Sequence, residues 1–128
     1  MKRRLAAAAL TAAALLAGCA QIGPAPGLMD VAERPAEKAL LTGIRAYEDA
    51  QYGEAERQLK ASLQAGLGSA KDRAAAQKHL AFIYCTSNRI ADCEAAFRAA
   101  RKADPAFALS KSESGHPLWG PVYRRVNN

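Results

Sequence analysis

The chain reads as an all-α protein: two helical hairpins that repeat, an α-solenoid fragment, followed by a C-terminal capping segment. Three observations predict this. The composition is rich in Ala, Leu, Gln, Arg, Lys and Glu and poor in Val and Thr, which favours helix over strand. Four stretches carry apolar residues at helical spacing, separated by turn residues. The stretches also repeat: Gly43 matches Ala81, Tyr52 matches Ile90, Ala55 matches Cys93 and Leu59 matches Phe97, each 38 positions apart.

The first helix begins near Glu33 to Pro35, because proline is tolerated in a first helical turn. Leu40, Leu41, Ile44 and Tyr47 form its apolar stripe, and Asp49 to Gly53 breaks it. A second helix places Ala55, Leu59, Ser62, Leu63 and Leu67 on one side, and Gly66 and Gly68 end it. Ser69-Ala70-Lys71-Asp72 resembles a capping box, in which a serine and an acid satisfy the free amides of a helix start. The third helix runs to about Thr86, and Leu80 to Cys85 is apolar on all sides, so it is expected to be the most buried. Ser87-Asn88-Arg89 makes a tight turn. The fourth helix carries Ile90, Cys93, Phe97, Ala100 and Ala103 and stops at Asp104-Pro105.

Period and pattern resemble the tetratricopeptide repeat, a helix–turn–helix unit of about 34 residues. The second copy shows it best, with Leu80-Ala81-x-x-Tyr84, then Cys93-x-x-x-Phe97-x-x-Ala100, then Pro105. The first copy has Ala46 where an aromatic is usual and lacks the closing proline, and the additional residues fall in the Gly68 to Arg73 connection. A generic four-helix bundle is the competing architecture. Two hairpins are few for a repeat array, whose units stabilise one another by stacking. The tail Gly115-His116-Pro117-Leu118-Trp119-Gly120-Pro121-Val122-Tyr123 is the segment expected to complete the core. Trp119, Val122, Tyr123 and Val126 follow helical spacing, with Gly120 and Pro121 expected as a turn before a short helix. The alternative is that the tail docks a partner through Trp119 and Tyr123.

Ahead of the helical region, Lys2, Arg3 and Arg4 precede an uncharged Ala- and Leu-rich run from Leu5 to Ala17, which ends in Leu16-Ala17-Gly18-Cys19. These are the parts of a secretory signal peptide, and the last four residues resemble the lipobox of bacterial lipoproteins. The apolar run is short against the ~20 residues of a membrane span. Plain secretion would leave the cysteine unexplained. The resemblance implies acylation at Cys19 and cleavage just before it, with anchoring by more than one chain, which is what stable attachment needs. Ala20, where an aspartate holds many such proteins at the inner membrane, implies the outer membrane facing the periplasm. The expected organisation is a signal peptide over 1–18, a lipidated start and Gly/Pro-rich tether over 19–32, a tetratricopeptide-like domain over 33–109, and a tail or cap over 110–128.

The formal charge of +6 owes half its value to Lys2, Arg3 and Arg4, so it makes no case for nucleic-acid binding. Cys85 and Cys93 lie four residues either side of Arg89, which sets them level on antiparallel helices. Export supplies an oxidising compartment, so a disulfide is expected, with two reduced core cysteines as the alternative. A metal site using His79 lacks ligands at suitable spacing. No catalytic Ser/His/Asp or Cys/His arrangement and no phosphate loop is legible, so neither enzyme activity, cofactor nor small-molecule substrate is expected. The first helix of each hairpin in tetratricopeptide domains lines a concave groove. Here it would offer Leu40, Ile44, Tyr47, Lys78 and Phe82 to a protein partner, with ordinary core as the competing reading.

Lipobox, repeat, paired cysteines, Asp104-Pro105-Ala106-Phe107 and the Trp119 tail together resemble small lipoproteins associated with type VI secretion, the TssQ type, over residues 38 to 125. That resemblance implies an accessory, non-enzymatic role beside a secretion apparatus. The alternative expectation is a structural or assembly lipoprotein of the outer membrane.

Overall fold

The computed structural model describes residues 34–128; the expected signal peptide, Cys19 and the tether lie outside them. The described chain is helical, with α1 Pro35–Glu48, α2 Tyr52–Ala65, α3 Ala70–Thr86, α4 Ile90–Ala103, α5 Lys111–Ser114 and α6 Gly120–Asn127. α1 packs on α2 and α3 on α4 as two hairpins, α2 against α3 joins them, and α6 closes on α4. This is the tetratricopeptide-like solenoid fragment expected, with the tail as its cap.

Pro35 opens α1, where its missing amide would be unpaired anyway, and Glu37 and Arg45 complement the two ends of the helix dipole. Ala36, Leu40, Gly43 and Ala46 are its buried side. Gly43 lets the hairpin close: a Cβ there would sit 2.8 Å from Leu59 Cγ. Ala81 and Phe97 occupy the matching positions of the second hairpin, both buried.

The repetition reaches the backbone. α1 ends with Ala50 at φ 59° and α3 with Asn88 at φ 60°. At the first turn the amide of Gln51 donates to Ala46 O (2.8 Å) and that of Ala50 to Tyr47 O (3.0 Å). At the second, Arg89 donates to Tyr84 O (2.8 Å) and Asn88 to Cys85 O (3.3 Å). This is the Schellman arrangement, which satisfies the last carbonyls of a helix through one left-handed residue. The two turns match residue for residue at the same offset as the side chains.

α2 ends at Gly66, whose φ of 90° suits glycine. Arg73 donates to the carbonyls of Leu67 (2.8 Å) and Gly68 (2.9 Å), tying down the longer connection between hairpins. Ser69 caps α3 by accepting from the Asp72 amide at 3.3 Å; among the described hydrogen bonds the shorter aspartate makes no return bond, so the box is half formed. Leu80 to Cys85 is buried throughout, as expected. Cys85 and Cys93 form a disulfide, with Cα atoms 5.2 Å apart. Arg89 lies 4.2 Å from the Tyr84 ring centre and donates to both Glu56 oxygens (3.0 and 3.1 Å), linking the second turn to α2.

The tail corrects one expectation. Gly120-Pro121 is not a turn before the last helix but its first turn, where a proline removes no intrahelical bond. Gly120 is there for contact, because a Cβ would meet Ser114 O at 2.4 Å. The short helix α5 was not anticipated. Ser110 and Glu113 build it with a complete capping box: the Glu113 amide donates to Ser110 Oγ (3.1 Å) and the Ser110 amide to Glu113 Oε2 (2.9 Å).

Candidate partner groove and its C-terminal plug

The expected groove lies along α1 and α3, and its aromatic residues do come together. Tyr47 from α1 lies 5.3 Å from His79 and 6.2 Å from Phe82 of α3, centre to centre, and 5.7 Å from Tyr52 at the start of α2. The groove is not open along its length. Trp119 lies over Phe82 with ring centres 4.1 Å apart and planes 23° from parallel, while His116 covers the other face of the indole at 3.3 Å. Phe82 and Trp119 are only 3% and 8% exposed.

Polar groups fix the plug in register. The indole Nε1 donates to Glu113 O (2.7 Å), and Lys78 Nζ donates to Glu113 Oε1 (2.8 Å) while lying 5.8 Å from the Phe82 ring centre. Tyr123 accepts from the Leu109 amide (3.2 Å) and meets Phe97 and Phe107 edge-on at 5.4 and 6.3 Å. Thus α5 presents a carboxylate to a groove lysine, and α6 anchors an aromatic layer on α4.

The partner-binding residues expected from sequence divide accordingly. Leu40, Phe82 and Trp119 are core rather than free surface: Leu40 lies on the buried side of α1 within the hairpin packing, and Trp119 returns to stack on Phe82. Lys78 is committed to Glu113, and Tyr123 is half-buried in the cap. Ile44 and Tyr47 remain half-buried at the end of the groove that the plug leaves uncovered. Tyr52 (48% exposed) lies beside Tyr47, and Leu41 (47% exposed) lies one turn before Ile44 on α1. Sequence reading missed His79, His116 and Glu113 as groove and plug residues. Only Glu113 had a local signal, the Ser110-x-x-Glu113 capping box.

Burial dominates the electrostatics. It lowers the pKa of His79, reinforced by neighbouring Lys78 and opposed by a 2.8 Å contact of Nδ1 with Ala75 O and by Glu113 and Glu48. Burial raises the Tyr47 phenol, with Tyr52 and Glu113 adding to it. At Glu113 burial works upward too, but the hydrogen bonds from Lys78 and Ser110 prevail and hold the carboxyl below its ordinary value. A solvent-open cleft of about 240 Å³ adjoins the plug, lined by Lys71, Lys78, Asp104 and Phe107 among others. Among the described residues, no three His, Cys, Asp or Glu side chains converge as a metal site, and no helix is long and apolar enough to span a membrane.

This geometry sustains packing, aromatic stacking and one partly buried ion pair. Comparison of the chain with protein-family models, curated proteins and solved structures returned no match.

Proposed function

We propose that the chain is a lipoprotein of the Gram-negative cell envelope, anchored through Cys19 at the periplasmic face of the outer membrane, where its repeat domain scaffolds another envelope protein. Within that role it is an accessory component of a type VI secretion system. The observation that carries the reading is the division of the three cysteines. Cys19 ends a lipobox-like segment, while Cys85 and Cys93 pair in a disulfide, a bond that persists in the compartment to which such a segment delivers a protein. The secretion assignment rests on the resemblance of the Gly115 to Tyr123 tail. The role requires no catalysis, cofactor, metal or nucleic acid.

The partner surface is the uncovered groove end, Leu41, Ile44, Tyr47 and Tyr52. The test is crosslinking in intact cells followed by pull-down against the products of neighbouring secretion genes. Leu41→Glu with Tyr52→Glu changes exposed side chains, so the helical circular-dichroism signal stays intact while capture of a secretion protein is lost. Undiminished capture by this double variant rejects the groove end. Labelled palmitate incorporation that survives Cys19→Ser rejects the anchor.

The plug favours a second reading, in which the chain supports outer-membrane assembly through other surfaces because Trp119 already fills much of the groove. A deletion strain separates the two. Lost effector export with an intact permeability barrier supports the first, and a leaky outer membrane with normal export supports the second.

A further inference from the structure

The charge of the described region is lopsided. Residues 34–66 carry five basic and five acidic side chains, whereas residues 67–128 carry ten and five. Part of that excess is consumed internally: Lys78 pairs with Glu113, and Arg89 with Glu56 and Asp92. Of the eight that remain, four gather where α6 lies on α4: Arg98, Arg101, Lys102 and Arg125. Glu94, Arg98 and Arg101 follow one another at four- and three-residue steps along α4, with Lys102 beside them. Arg125 of α6 reaches Glu94 at 2.8 Å, Arg98 reaches the same carboxylate at 3.3 Å, and Arg101 bonds Asn127 Oδ1 at 3.0 Å. These contacts join two helices in one face that carries four exposed cations and one carboxylate, which Arg98 and Arg125 share.

We infer that this α4–α6 face docks on anionic phospholipid headgroups, so that the domain lies against a membrane instead of extending from it. Three of the four cations are arginines, whose planar fork suits phosphate oxygens. The face is the outer side of a helix pair formed by exposed side chains, which favours a broad charged surface as its ligand over an acidic protein segment. Membrane proximity rests on the lipid-anchor reading above. The face lies on the last hairpin and α1, next to the tether, on the first. Residues 20–34, fully extended, reach about 50 Å at ~3.3 Å per residue, enough to turn the far hairpin toward the surface.

Co-sedimentation with vesicles tests the inference, using the full chain carrying Cys19→Ser so that no acyl chain contributes. Vesicles of phosphatidylcholine alone are compared with vesicles containing about one-third phosphatidylglycerol. Juxtamembrane cations each strengthen such binding severalfold, so the anionic vesicles should bind at least about tenfold tighter. The triple variant Arg98→Gln, Arg101→Gln, Lys102→Gln should lose most of that preference; Lys2, Arg3 and Arg4 act equally in both chains and cancel. Should the variant fold poorly, salt decides with a chain whose α4–α6 face is intact but which carries Lys2→Gln, Arg3→Gln and Arg4→Gln, so that the preference read belongs to the domain. Raising it from about 0.1 M to 1 M shortens the screening length from ~10 Å to ~3 Å and should abolish the preference. No preference in the wild type, a preference unaffected by the triple variant, or one unaffected by salt overturns the inference. So does poly-glutamate binding tighter than the anionic vesicles, which would make an acidic polypeptide the ligand. Palmitate labelling of the unmodified protein reads the anchor separately: an unlabelled chain that still prefers anionic vesicles removes the lipid anchor and leaves the docking face standing.

Discussion

Replacing Trp119 by alanine removes the centre of the plug. The indole is nearly fully buried between Phe82 and His116 and donates one short hydrogen bond to Glu113 O. A tryptophan side chain buries on the order of 150–250 Å², which at ~25 cal/mol per Å² corresponds to about 4–6 kcal/mol before losses. Aromatic-to-alanine truncations in cores cost about 3–5 kcal/mol, and the lower half applies if α5 and α6 settle into the space. For a domain of this size, 3 kcal/mol lowers the melting temperature by about 12 °C or more. Urea unfolding followed by far-UV circular dichroism measures the loss without needing the tryptophan. If the tail detaches in the native state, the denaturant slope also falls, because less surface remains to be exposed. In the wild type, Trp119 emission should be blue-shifted and shielded from quenchers. A loss under about 1 kcal/mol with an unchanged slope refutes the plug as the element that completes the core, since truncation of an aromatic packed as described cannot be that mild.

The remaining predictions concern the scaffold. Removing the disulfide with Cys85→Ala and Cys93→Ala should destabilise the domain by about 2.5 kcal/mol, the chain-entropy value for so short a loop; insensitivity of the wild-type melt to reductant would argue against the bond. Gly43→Ala should destabilise by about 1–2 kcal/mol, because overpacking against the Leu59 side chain and its backbone nitrogen outweighs the better helix propensity. Gly53→Ala, where a Cβ meets nothing within 4 Å, should instead stabilise by up to about 1 kcal/mol; thermal melts that move both variants the same way contradict the packing. His79 is held neutral chiefly by burial, with its folded pKa below the unfolded value of about 6.5. Below that value the unfolded chain takes up a proton that the folded one refuses. Stability is therefore full above about pH 6.5 and declines as pH falls toward the folded pKa. Urea midpoints for His79→Gln should be flatter across this window than those of the wild type.

Much of the fold was legible because it is local. Helical stripes, Pro35 at the start of α1, Gly66 at the end of α2 and the offset linking Leu59 to Phe97 each depend on residues within a turn or a hairpin, where spacing alone determines which side chains face each other. The Cys85–Cys93 pairing was legible for the same reason: symmetry about Arg89 sets the two level. The groove was less legible. Phe82, Leu40 and Trp119 are large apolar residues at helical spacing, and that pattern is the same whether such residues bind a partner or form core. His79 and Glu113 acquire their roles from neighbours 30 or more positions distant, Tyr47 for the histidine and Lys78 for the glutamate.

The sequence by itself determined the four hairpin helices, their pairing and the cysteine bridge, since each follows from backbone preference and short-range periodicity. Only the tertiary structure decided that α5 and α6 return over the array, that Trp119 plugs the groove on Phe82, and that Arg125 meets Glu94 to complete a basic face. Those contacts join segments far apart in the chain, and long-range closure is chosen by the complementarity of whole surfaces, which no local pattern encodes.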